Sequence, residues 1–236
     1  MKTYPLLILA LVLQLSVVHA KEFVFATHVK PPSSDLTTQL YTELFKRMGH
    51  TFKMKLLPGV RVLIAVNKGQ YDGDGNRVNN LKTIAKENLD NYRLVNEPIV
   101  TQALVMVTLA SRNVPSPSYD EANTGRVAYL RGSKRIRKNV FAENRVPVNS
   151  PNQALNMLLA KRAESAIFFK LMANDIFRKD IKHKYKSIVV HAKPVDLFLL
   201  YPYVHKSNEA LIPEMENTLR EMKKDGTYQK IVDKFE

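Results

Sequence analysis

Cysteine is missing from all 236 residues, which rules out disulfides, thiolate metal ligands and a lipid attached through a cysteine. Past the first twenty residues, no apolar run approaches the roughly 20 residues that a membrane-spanning helix needs. Patterns that carry chemistry are scarce as well. His28, His50, His183, His191 and His205 are scattered singly, so there is no zinc-type pair, and neither a Ser-His-Asp order nor a phosphate-binding glycine loop occurs. Acidic residues are in deficit: 36 Lys and Arg against 22 Asp and Glu leave a formal charge of +14. A field of that sign attracts anionic solutes, lipid headgroups or nucleic acid, and it also keeps a protein soluble with no partner at all.

The chain opens on a leader. Met1-Lys2 supplies a basic start, Leu6 to Val18 an apolar centre broken only by Gln14 and Ser16, and Val18-His19-Ala20 small residues at the positions a signal peptidase reads. The apolar run is too short to anchor the chain. Cleavage is expected after Ala20, giving a soluble periplasmic protein that is not a lipoprotein, its charge lowered to +13 by the loss of Lys2. Export argues against nucleic acid as a partner. About 216 residues remain, enough for one large domain or two lobes of roughly 100 residues each.

From Glu22 onward, strand-like and helix-like segments alternate, which marks an α/β protein built on mainly parallel sheets. Phe23 to Thr27 reads as a strand. Leu36, Leu40, Leu44 and Met48 recur at helical spacing after Ser34-Asp35, and Gly49 stops them. Phe52, Met54 and Leu56 alternate with lysines as a second strand, and Pro58 opens a second helix that Gly69 ends. Ala103 to Leu109 is an apolar strand followed by the exposed linker Asn113-Val114-Pro115-Ser116-Pro117-Ser118. The grammar then restarts with strands at Arg126 to Leu130, Val146 to Asn149 and Ser165 to Phe168. Ser150-Pro151-Asn152-Gln153 has the form of a capped helix start. Leu197 to Val204 reads as a second crossing strand before the terminal helices.

Four segments, in this order, resemble the family-3 extracellular solute-binding proteins of polar amino-acid uptake systems and related sensors. The first is Leu56-Leu57-Pro58-Gly59-Val60-Arg61 with Asn67-Lys68-Gly69-Gln70-Tyr71-Asp72-Gly73. The others are Asn96-Glu97-Pro98-Ile99 with its following strand, Gly125 through Ser133, and Asn208 through Tyr228. The resemblance implies a type II periplasmic-binding fold: two mixed sheets flanked by helices, forming two lobes joined by two hinge strands. It places lobe 1 at residues 21–109 and 200–236 and lobe 2 at 110–199. It also implies a monomer that captures a small solute and delivers it to a membrane permease or a sensor protein, with no cofactor and no catalysis.

In such a fold the solute lies between the lobes, against strand ends and helix N-termini. Arg61 holds the family's arginine position and would fork two hydrogen bonds onto a carboxylate or phosphate; a surface salt bridge is an equal reading. Tyr71 through Arg77 is the most unusual stretch. Asp72, Asp74 and Asn76 fall at the first, third and fifth positions of a calcium loop, but Arg77 stands where glycine is required and Thr83 where glutamate belongs, so metal is rejected. A tight strand-to-loop turn at the cleft, with Asp72 structural, Asp74 a ligand-binding candidate and Arg77 facing the solute, is expected, with a plain surface turn as the alternative. Arg131-Gly132-Ser133, between a strand and a helix, would form an anion-receptive loop. Tyr129, Phe168 and Phe169 would wall the ligand or fill the core, and Thr27 would offer a hydroxyl or fill a turn.

Two departures bear on the solute. Where the family's amino-acid binders carry an arginine before the Asn96 region, this chain offers Lys86 or Asn91; where they carry an aspartate for the α-amino group, it has Phe169 and Lys170. An ordinary α-amino acid fits poorly, and an anionic or aromatic solute fits at least as well. The rival reading is an exported enzyme on the same scaffold, similar to cyclohexadienyl dehydratase. That chemistry needs a cleft carboxyl, for which Asp74 and Glu97 are the only candidates.

Overall fold

The computed structural model describes residues 20–180 and 182–235. All of the expected leader except Ala20 lies outside the described residues. Among the described residues no helix is long and apolar enough to cross a membrane.

The first half-unit is built around β1 (Glu22–Thr27), whose two faces are both covered: Phe23 and Phe25 pack on one side, Ala26 on the other. On the first side lies α1 (Ser33–Arg47), which buries Leu36, Leu40, Tyr41, Leu44 and Phe45 at helical spacing. Phe45 stacks on Phe23 at 4.8 Å and on Phe52 at 5.2 Å and meets Phe25 edge-on at 5.6 Å. Such aromatic pairs each add about 0.5–1.5 kcal/mol beyond the area they bury. Phe52 comes from β2 (Thr51–Leu56), parallel to β1 at the sheet edge. On the other side of β1 lies α2 (Gly59–Asn67), with Val62, Leu63 and Val66 inward.

The start of α1 differs from expectation. The helix begins at Ser33 rather than after Ser34, Pro32 precedes it, and no side chain caps it. Ser33 is therefore free for another use.

The larger difference lies at Gly73–Arg77, which is strand β3 and not a turn. It runs parallel to β1 (Phe25 opposite Gly73) and antiparallel to the C-terminal crossing strand (Tyr203 opposite Asp74). Its glycines answer crowding. A Cβ on Gly73 would sit 2.4 Å from the Tyr203 carbonyl oxygen, and one on Gly75 would sit 2.7 Å from the Met54 methyl. Asp72, just ahead, accepts a hydrogen bond from the Val24 N–H at 2.9 Å and pairs with Lys21 Nζ at 2.9 Å, so it fixes where β3 enters the sheet. The short α3 (Leu81–Ile84) and β4 (Tyr92–Leu94) complete this region.

β5 (Val100–Leu109) then leads into the second lobe, which comprises α4 (Tyr119–Ala122), β6 (Val127–Leu130), α5 (Lys134–Asn139), β7 (Arg145–Val148), α6 (Pro151–Leu159), β8 (Ser165–Phe169), α7 (Lys170–Lys179) and β9 (Ile188–Val190). β7, β6 and β8 are parallel, and β5 runs antiparallel to β8 and β9. At α6 Ser150 caps as the sequence predicts, its Oγ accepting the Gln153 N–H at 3.2 Å, while Gln153 Oε1 reaches one residue past the cap and accepts the Asn149 N–H at 2.9 Å.

β10 (Asp196–His205) ties the halves together. Its first five residues pair antiparallel with Val100–Leu104 of β5, and from Tyr201 on it pairs with β3 and β4. The register slips between Tyr201 and Tyr203, at Pro202, which has no N–H to donate. Two mixed sheets thus share one strand, in the order β2-β1-β3-β10-β5-β8-β6-β7. The chain ends in α8 (Ile212–Lys224) and α9 (Thr227–Val232), which pack beside α1 and bury Met215, Leu219, Met222 and Ile231 in the first lobe's core. The architecture is two α/β lobes, each a sheet between helical layers, connected by the β5–β10 pair.

Candidate functional site

A cavity of about 280 Å³ opens where the two lobes meet the two crossing strands. The loop after β1 contributes His28, Val29 and Lys30, α1 contributes Ser33, and β3 contributes Asn76. Gln102 of β5 faces Phe198 across the strand pair, with Leu200 beside it. The second lobe closes the far wall with Phe169 and Met172. Lys30 and Met172 also border an adjoining outer cavity of about 530 Å³, lined by Arg131, Asn149, Ser150 and Asp175 among others. Together they make one cleft.

Its polar groups are few and mostly buried. Ser33 is 1%, Asn76 1% and Gln102 3% exposed. Ser33 Oγ, Asn76 Nδ2 and Gln102 Nε2 have no hydrogen-bond partner. Leaving one such group dry and unpaired costs about 1–3 kcal/mol, so three around one cavity mark a place prepared for something else. The direction of the Asn76 amide is set by its neighbours. The Val29 N–H donates to Thr27 Oγ1 at 3.2 Å, which leaves the Thr27 hydroxyl proton for Asn76 Oδ1 at 2.9 Å. With its oxygen committed, the group of Asn76 left without a partner is its N–H₂.

The expected site residues divide into two groups. Phe169 lines the inner cavity, its ring 5.9 Å from Phe198, and Arg131 lines the outer one while donating to Asn149 Oδ1 at 3.3 Å. Thr27, fully buried, acts through Asn76. Arg77 turns to Asp74, its Nε 2.6 Å from Oδ2, and donates a second bond to the Gly59 carbonyl at 3.1 Å. Asp74 is 0% exposed and also lies 3.5 Å from the Tyr92 hydroxyl. Burial raises the Asp74 pKa, opposed by the Arg77 charge. Arg61 lies on the exposed face of α2 with Val60 and Ile64, away from both cavities. Tyr129 and Phe168 are 4% and 1% exposed, in the two cores of the second lobe. Glu97 pairs with Lys223 and, at 3.6 Å, with Arg220, so neither carboxyl proposed for catalysis lines the cleft.

Sequence reasoning missed His28, Lys30, Ser33, Asn76, Gln102, Met172 and Phe198 as lining residues. Gln102 had a signal, being a lone amide beside an apolar strand. His28 is open to the cleft on one side, yet protein crowds its ring; that burial, with the Arg77 charge second, lowers its pKa to about 4. Its imidazole should titrate near pH 4 by NMR, and Arg77→Gln should move the midpoint upward. Because the folded value lies below the ordinary 6.5, neutral His28 favours folding above pH 6.5, and that contribution fades as the pH falls through 4. A midpoint near 6.5 in the folded protein contradicts this placement of the ring.

Comparison with known proteins now places the chain. The model of the bacterial extracellular solute-binding proteins, family 3, matches residues 36–236, and the chain belongs to that family. A protein of Shewanella oneidensis described as uncharacterized is 20% identical over 201 residues, which cover 81% of this chain and 72% of that one. Among solved structures, the GluR0 ligand-binding core complexed with L-glutamate superposes with a TM-score of 0.69 at 12% identity, covering 93% of this chain and 99% of that one. The L-cystine solute receptor of Neisseria gonorrhoeae, in its unliganded open conformation, gives a TM-score of 0.68 at 18% identity, covering 92% and 93%. At these identities the likeness is one of fold.

Proposed function

We propose that this protein is an exported binding protein that takes up a small solute between its lobes and presents it to a membrane permease or a sensor, without transforming it. The observation that carries this reading is that Ser33, Asn76 and Gln102, which line one cavity at the lobe junction, each hold a buried side-chain polar atom with no partner. Both lobes and both crossing strands line that cavity, so a solute held there would bridge them. Closing over it would exclude water and strengthen each polar contact. The distance of Asp74 and Glu97 from the cleft supports binding over acid–base catalysis. The family's extracellular character and the leader support a monomeric periplasmic protein beginning at Lys21.

The test is mass spectrometry of the protein recovered from cells, followed by a melting screen over amino acids, peptides, organic acids and sugars. The expected N-terminus is Lys21-Glu22-Phe23. One class of solute is expected to raise the melting temperature and shrink the radius of gyration, with about 2.7 kcal/mol gained at a concentration of one hundred times Kd. No response to any class, or turnover of the solute that binds, defeats the reading.

A further inference from the structure

The cleft's lining says more than that a solute binds; it restricts the chemistry of the solute. Four observations bear on this. The three unpaired buried groups are two amide N–H₂ donors and a hydroxyl that can donate, all calling for an acceptor. Ser33 is the first residue of α1, a helix of fifteen residues whose start carries no side-chain cap, so the positive end of its dipole faces the same space. Lys30, which borders both cavities, makes no ion pair with any described carboxylate. Apart from His28, the rest of the inner wall is apolar: Val29, Phe169, Met172, Phe198 and Leu200.

What is lacking matters equally. Among the described residues lining the inner cavity there is no Asp or Glu. Asp175 of the outer cavity is already held by Lys179 at 2.8 Å and Arg178 at 3.1 Å. An ammonium group entering this space would lose its hydration and gain no counter-charge. A carboxylate would find donors and a positive field.

Resting on the cleft-binding reading above, we infer that the solute is a small organic carboxylate with an apolar body and no α-ammonium group. Its carboxylate meets Asn76, Gln102 and Ser33 at the α1 start, and its body, of one ring or a branched alkyl chain, lies between Phe169, Met172 and Phe198. A cavity of about 280 Å³ suits a body of that size.

Calorimetric titration of the purified protein with benzoate, phenylacetate and 4-methylpentanoate tests this, alongside phenylalanine, phenylacetamide and phenethylamine. At least one of the three carboxylates is expected to bind, with phenylalanine and phenylacetamide tenfold or more weaker and phenethylamine silent. Gln102→Met removes one donor at nearly constant volume. Asn76→Asp keeps the acceptor for Thr27 and sets a negative charge against the carboxylate. Each is expected to weaken carboxylate binding by about tenfold or more, the range for a hydrogen bond to a charged group; circular dichroism and ligand-free melting of Gln102→Met remain close to the parent, while Asn76→Asp, which buries a second carboxyl two residues from Asp74, melts lower but keeps the parent's circular dichroism. If phenylalanine or phenethylamine binds more tightly than every carboxylate, or no carboxylate binds, or both variants bind as the parent does, the inference is overturned. In the first case the cleft still captures a solute and only its class is wrong; silence toward the broad screen as well removes the binding reading itself.

Discussion

Asp74→Ala should cost about 3–5 kcal/mol of folding stability, the range for breaking a buried ion pair from one side. The substitution strands the Arg77 guanidinium, only 10% exposed, against the Gly59 carbonyl with its charge uncompensated. The reverse change, Arg77→Ala, should cost less. The carboxyl it leaves has a pKa already raised by burial and can take up a proton, whereas a guanidinium cannot lose one. The double variant should fall short of the sum of the two, since each single change includes the penalty of the orphaned partner. Urea denaturation of the three variants measures this. Solute titration of Arg77→Ala beside its urea denaturation separates two roles for Arg77: as a direct ligand for the solute its loss would abolish binding at little cost in stability, whereas as the partner of Asp74 its loss lowers stability and leaves affinity nearly intact. An Asp74→Ala variant within about 1 kcal/mol of the parent would count against the pair as a structural element.

Gly73→Ala is the second large effect. The added methyl would stand 2.4 Å from the Tyr203 carbonyl oxygen and 2.7 Å from the Phe25 ring. A side-chain ring can turn aside, but the carbonyl belongs to a paired strand and cannot yield alone. The expected loss is about 3 kcal/mol, the upper part of the range for overpacking. The consequence reaches the cleft, because β3 carries Asn76 three residues on and β10 carries Phe198 and Leu200; parting them moves a donor away from its wall. The solute response should therefore fall together with stability. Gly59→Ala is the control: the nearest atoms to its added methyl are 3.8 Å away, in His28, and its stability should stay within about 0.5 kcal/mol of the parent.

Much of the architecture was legible because it rests on periodicity. The burial of Leu36, Leu40 and Leu44 on α1, and the capping by Ser150 and Gln153, are local consequences of spacing. The stretch from Asp72 to Arg77 was not legible in that way. Glycine, aspartate and asparagine in succession are the residues of a turn, but here the glycines relieve the approach of Tyr203 and Met54, residues remote in sequence. The same limit governed the site. Arg61 and Arg77 stood out by residue type, while Ser33 and Gln102, which are common residues in ordinary positions, did not.

The chain's own order of residues determined the alternation of strands and helices and the likeness to the family whose model matches residues 36–236. These follow from spacing and local backbone preference, which act over a few residues. Only the tertiary structure decided which polar groups were left without partners, since that depends on which strands lie side by side. Thr27 takes the oxygen of Asn76, Asp74 takes the guanidinium of Arg77, and the nitrogens of Asn76 and Gln102 are left unpaired.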